Sequence, residues 1–167
     1  GTLVGETSGI FKMACQQTYV TISFVKALVL PCWLYTEVVK MNGLYVNIER
    51  FQTLRGILAK TWLFGEGISY PVQNEISKAA KVHHFEAGES LDKLNPDSIY
   101  LIRKGQVKRV KDKVVFETLE AGDFFGEESA IFTSPSLFQT SAEKLTSLYE
   151  IPGKLLESIP IIRWKLF

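Results

Sequence analysis

A seven-residue motif occurs twice in this chain. Residues 5 to 11 read Gly-Glu-Thr-Ser-Gly-Ile-Phe and residues 126 to 132 read Gly-Glu-Glu-Ser-Ala-Ile-Phe, an offset of 121. Leu30-Pro31 and Ile151-Pro152 repeat that offset, and after each proline Leu34, Tyr35 and Val38 correspond to Leu155, Leu156 and Ile159. Two landmarks at one spacing predict a duplicated unit of about 120 residues. On this reading residues 1–43 are the C-terminal part of a first unit and residues 44–167 are a complete second one. A remnant so short cannot bury a core of its own. It is therefore expected to come from a longer chain, since Gly1-Thr2-Leu3-Val4-Gly5-Glu6 aligns with Gly122-Asp123-Phe124-Phe125-Gly126-Glu127, inside a motif.

The periodicities say what such a unit contains. Thr18–Phe24 and Ala27–Leu30 are β-branched, aromatic or apolar and read as two strands, with a helix after Pro31 that ends at Asn42-Gly43. Leu44, Ile48, Phe51, Leu54, Ile57, Leu58 and Trp62 recur at helical spacing up to Gly65, and a second helix is expected from Pro71 to about Val82. Strand signals follow. They run at 82–85, 98–102, 106–110, 114–119, 137–142 and 145–151, with a hairpin turn at Lys111-Asp112-Lys113. A final helix from Pro152 carries Leu155, Leu156, Ile159 and Ile162 until Pro160 bends or ends it, leaving Trp164, Leu166 and Phe167 for a partner or for a continuation of the chain. Many short strands at this spacing predict a mainly β, α+β domain: a roll or barrel flanked by helices.

Composition narrows the function by exclusion. A net charge of +1 is no polyanion signature, so nucleic-acid binding is not expected. The apolar run Val20–Tyr35 contains Lys26 and Pro31 and is too short to span a bilayer. Cys15 and Cys32 suit a reducing compartment, hence the cytoplasm, and are expected to be small buried hydrophobes. His83 and His84 are adjacent on a strand and point to opposite faces, so they form no joint metal site. Lys104, Lys108, Arg109, Lys111 and Lys113 read as a solvated edge that discourages strand pairing. No serine has a placed His and acid, and Glu127 and Glu128 show no acid–base geometry. The chain is not expected to be catalytic.

Three stretches carry a family resemblance: Phe85–Glu89, Ile99–Val107 and Glu120–Glu127, closed by Leu148–Pro152. Their glycines, in this order and spacing, resemble the cyclic nucleotide-binding domain of catabolite activators, kinase regulatory subunits and gated channels. The resemblance covers nearly all of residues 50–167, and residues 5–39 resemble the end of a first such domain. It implies an eight-stranded, jelly-roll-like β-roll with N-terminal helices and a C-terminal hinge helix. It also implies a ligand cassette at Phe125, Gly126, Glu127, Glu128, Ser129 and Ala130, with Ser136 and Leu137 at its end. Glu127 matches the ribose-binding glutamate. Gly5, Glu6 and Ser8 are the counterparts in a vestigial first cassette.

The family's cassette ends on an arginine that pairs with the cyclic phosphate. Residues 133–142 here contain no Arg and no Lys, nothing in the sequence offsets Glu127 and Glu128, and the first cassette also lacks the arginine. A charge-assisted pair of that kind contributes about 1.5–3 kcal/mol, so its loss weakens binding roughly tenfold to several-hundredfold. The expectation is a non-enzymatic regulatory or scaffolding module with no cofactor, in which cAMP or cGMP does not bind tightly. Its partners are other domains of a longer chain or another protein, and a homo-oligomer is compatible with the sequence. The alternative is weak capture of a cyclic nucleotide or other small ligand by backbone amides with Ser129, Ser134 or Ser136.

Overall fold

The computed structural model describes residues 3–15 and 18–166. In chain order the elements are α1 (Glu6–Phe11), α2 (Cys32–Met41), α3 (Tyr45–Leu58), α4 (Tyr70–Ala79), β1 (Lys81–Phe85), β2 (Ser98–Lys104), β3 (Gln106–Lys111), β4 (Val114–Glu120), β5 (Phe124–Phe125), α5 (Glu127–Ala130), β6 (Gln139–Ala142), β7 (Thr146–Pro152), α6 (Gly153–Glu157) and α7 (Pro160–Leu166). They divide into two units, Gly1–Arg50 and Phe51–Phe167.

The two motif copies take the same local form. Gly5 (φ 80°) and Gly126 (φ 96°) are each the left-handed residue before a short helix. Four residues on, Gly9 N donates to Gly5 O at 2.9 Å and Ala130 N to Gly126 O at 3.0 Å. Pro31 (φ −57°, ψ 136°) and Pro152 (φ −60°, ψ 128°) each precede a helix in the same conformation. The strands between these landmarks differ. Residues 139–142 and 146–152 are β6 and β7, but the equivalent residues 18–21 and 25–31 are not strands. A strand is held by its neighbour's N–H and C=O groups, and residues 18–31 join neither sheet among the described residues. Ile22 (99%), Leu28 (93%) and Phe24 (89%) are exposed instead. Both cysteines are exposed too, contrary to expectation, and Cys32 Sγ donates to Gly9 O at 2.7 Å, linking α2 to α1.

In Phe51–Phe167 two antiparallel sheets form the roll, ordered β1-β7-β2-β5 and β4-β3-β6. Gly105 (φ 101°) passes the chain from β2 to β3, and a Cβ there would lie 2.6 Å from Leu145 O. The β3–β4 hairpin closes on Asp112 and Lys113, both at positive φ, the type I′ geometry that suits strand twist. Seven strands are present among the described residues rather than eight; Ser90 makes only an isolated bridge to Ser141.

Helices cap one face. Leu54, Leu58, Ile76, Leu156, Ile159 and Ile162 pack with Ile99, Leu101, Tyr149 and Ile151 in one core cluster. α3 stops at Leu58, short of the expected Gly65, and the chain turns through 59–67. Trp62 is therefore exposed rather than on the buried stripe. Past Pro160 the chain continues as α7, whose Leu166 packs against the core instead of awaiting a partner. Trp164 is exposed, and Phe167 lies outside the described residues.

Candidate functional site

The inner surface of the three-stranded sheet carries a charge. Along β3, Val107 and Arg109 are buried while Gln106, Lys108 and Val110 are only half-buried, as alternation across a half-covered strand requires. Arg109 is opposite Glu117 on β4 and Thr140 on β6. A bulge follows it: Val110 pairs with Val115, so Phe116 is an extra residue on β4. The Arg109 residue is 5% exposed. Its Nη1 donates to Glu117 Oε1 at 2.7 Å, and its Nη2 donates to Glu128 Oε1. Its guanidinium lies 4.1 Å from the centroid of the Phe138 ring, a cation–π contact.

This group sits in the wall of a cavity of about 260 Å³. The loop leading into β2 forms another part of the wall through Leu91, Asn95 and Ser98, and Tyr100, Phe125, Gly126, Glu128, Ser129, Ser136 and Phe138 complete much of the rest. The cassette residues divide accordingly. Phe125 is buried, its ring stacked on Tyr100 at 5.4 Å. Gly126, Glu128, Ser129 and Ser136 reach the cavity. Ala130 packs in the helical core, and Leu137 is 66% exposed and away from the cavity wall. Glu127 is half-buried and not on that wall. Burial pushes its carboxyl above the ordinary value, helped by the Glu128 charge and opposed by Arg109. One carboxylate oxygen each of Glu127 and Glu128, and Nε of Arg109, are buried with no hydrogen-bond partner among the described residues.

Two sequence expectations are corrected here. The basic hairpin is a solvated edge for Lys104, Lys111 and Lys113, but not for Arg109. A cation does offset the cassette carboxylates: it comes from β3, not from residues 133–142. Gly5, Glu6 and Ser8, the expected counterparts of Gly126, Glu127 and Ser129, are half-buried. After burial, the Glu6 charge is the second cause that raises the Tyr35 hydroxyl.

A polar network fixes the cavity's other wall. Glu150 on β7 meets His83 Nε2 at 2.7 Å and accepts from Ser98 Oγ at 3.0 Å and Asn95 Nδ2 at 3.4 Å. The Asn95 carbonyl in turn accepts from Tyr100 Oη at 2.9 Å, and the Tyr100 hydroxyl is pushed up to about 12, first by burial. His83 is thus a structural residue and His84 is exposed; no metal-holding cluster occurs among the described residues. Burial raises the Glu150 carboxyl, but its bonds to His83, Ser98 and Asn95 outweigh this and hold it below the ordinary 4.5. A depressed carboxylate stabilises the fold above its unfolded value, and that stability is lost as pH falls through the lower folded value. Unfolding free energy should therefore decline below pH 4.5. Glu150→Gln should cost about 1–2 kcal/mol at pH 7 and flatten that acid limb in urea titrations.

Residues 82–160 match the model of the cyclic nucleotide-binding domain. That part of the chain belongs to this family. Over 163 residues the chain is 27% identical to a cGMP-dependent protein kinase of Eimeria tenella, covering 95% of this chain and 16% of that protein. Among solved structures, the regulatory domain of Toxoplasma gondii PKA with cAMP aligns at TM-score 0.64 and 16% identity, over 81% of this chain and 54% of that one. The regulatory subunit of a cAMP-independent protein kinase A from Trypanosoma cruzi, bound to guanosine, aligns at TM-score 0.62 and 17% identity, over 80% and 50%. At these identities the structures establish the fold. The chain thus spans about one-sixth of its kinase relative. The cyclic nucleotide-binding domain is a regulatory element, not a catalytic one. No described helix is long and apolar enough to cross a membrane.

Proposed function

We propose that this cyclic nucleotide-binding domain is a regulatory module that leaves cAMP and cGMP essentially unbound and relays conformational or assembly changes within a longer protein. The observation that supports it is the state of Arg109: the cation lining the cavity is already paired with Glu117 and Glu128. An incoming cyclic phosphate would have to displace a carboxylate and sit beside others. The cavity, at about 260 Å³, is also smaller than the roughly 300–1,000 Å³ of most small-molecule sites. On this reading residues 1–43 are the end of a preceding domain of the same kind, with a vestigial cassette at Gly5, Glu6 and Ser8. α6 and α7, packed on the roll through Leu156, Ile159 and Ile162, are the coupling element. The kinship with a cGMP-dependent kinase makes neighbouring domains of one chain the natural partners, in the cytoplasm.

A second reading has its own support. The unpartnered carboxylate oxygen of Glu128, on the cavity wall, calls for hydrogen-bond donors. An uncharged, hydroxyl-bearing ligand of the nucleoside class would supply them without a phosphate, and the Trypanosoma cruzi subunit is a relative bound to guanosine.

Thermal unfolding with cAMP, cGMP or guanosine at 1 mM tests both. A micromolar site would gain about 4 kcal/mol of apparent stability, against about 0.4 kcal/mol for a millimolar one. The first reading expects no more than the smaller effect from either cyclic nucleotide. A clear stabilisation by guanosine alone would favour the second.

A further inference from the structure

Arg109 is held from two sides by groups that do not face the cavity alone. Glu117 takes Nη1, and Phe138 covers the guanidinium at 4.1 Å. Nη2 is taken by Glu128, which lines the cavity together with Ser129 and Ser136. The guanidinium is therefore oriented independently of Glu128. Arg109 is thus paired with two carboxylates, with Glu127 adjacent to Glu128 in the chain, so an incoming anion is repelled.

We propose that Glu128 is an internal counter-ion that holds shut an anion site built on Arg109, and that removing its charge opens the cavity to the phosphate of a nucleotide. This rests on the reading that the unmodified cavity leaves cyclic nucleotides unbound. A guanidinium presents several N–H donors in a planar fork that fits phosphate oxygens. With the Glu128 carboxylate gone, the Nη2 edge loses its partner on a wall that also carries Ser129 and Ser136.

The test measures dissociation constants by calorimetry for the unmodified chain, Glu128→Gln and Glu128→Ala, each with cGMP, cAMP and inorganic phosphate. The expected result is cyclic nucleotide binding about tenfold to a hundredfold tighter in the variants than in the unmodified chain. Arg109→Lys added to Glu128→Ala should reverse most of that gain, because an ammonium lacks the fork. Inorganic phosphate binding as tightly as either nucleotide would support the anion site and assign it to free phosphate. If both single variants fold but bind no better than the unmodified chain, the inference is overturned while the functional reading stands. If neither variant folds, it is overturned as well, since a carboxylate the fold cannot lose is a structural ion pair. Tight binding by the unmodified chain would overturn both.

Discussion

Arg109→Met should cost about 3 kcal/mol of folding stability, a large effect for a residue on a basic, outwardly solvated hairpin. Removing one member of a buried ion pair typically costs about 3–5 kcal/mol, because the partner stays behind uncompensated. Here the Arg109 side chain is 6% exposed, but Glu117 and Glu128 are 33% and 27% exposed, so water relieves part of the penalty. The contact with Phe138 and the packing of the aliphatic stem are lost in addition. The origin of the effect can be separated from simple truncation. Adding Glu117→Gln and Glu128→Gln to Arg109→Met should recover most of the loss, since a neutral set of similar volume leaves no buried charge unpaired. Urea unfolding measures each step. A loss under about 1 kcal/mol for Arg109→Met, or no recovery in the triple variant, would mean that the pairing does not hold the site together.

The second large effect is backbone-based. Gly126→Ala should destabilise by about 2–4 kcal/mol. Gly126 has φ +96°, and a Cβ there would lie 2.8 Å from the Ser98 carbonyl oxygen. The left-handed strain alone costs about 1–2 kcal/mol, and the clash is with backbone, which cannot swing aside. Gly122→Ala is the matched control: φ is +102°, yet nothing lies within 4 Å of the added methyl. It should cost only the strain. The difference between the two variants in denaturant midpoint isolates how tightly β2 and the cassette approach each other. Equal losses would show that steric contact at Gly126 contributes nothing.

What the sequence revealed follows from where local pattern and tertiary structure agree. The roll was legible because its strands are short and punctuated by Gly105 and Gly122, and because Asp112 and Lys113 sit where a two-residue hairpin turn must. The motif repeat was legible because Gly5 and Gly126 are needed for the same left-handed step. Residues 18–30 misled for a physical reason: their composition suits strands, but a strand also needs a ladder, and these residues belong to neither sheet among the described residues. α3 ended early because apolar spacing continues through Trp62 while the chain has already turned.

Arg109 was the main site residue missed. It alternates along β3 with Lys108 and sits among Lys104, Lys111 and Lys113 in sequence. A cluster of five cations in ten residues then looked uniformly solvated. The available signal was Val107: counting two residues on from a core valine places Arg109 on the inner face. The cation reaches the cassette from β3, more than twenty residues before 133–142 in the chain, so no local motif contains it.

The most direct test of this account is the affinity of the unmodified chain for cGMP and cAMP by isothermal titration calorimetry. A cavity whose cation is already held by Glu117 and Glu128 predicts no saturable heat until nucleotide approaches the millimolar range. A dissociation constant in the low micromolar range for either nucleotide would contradict it.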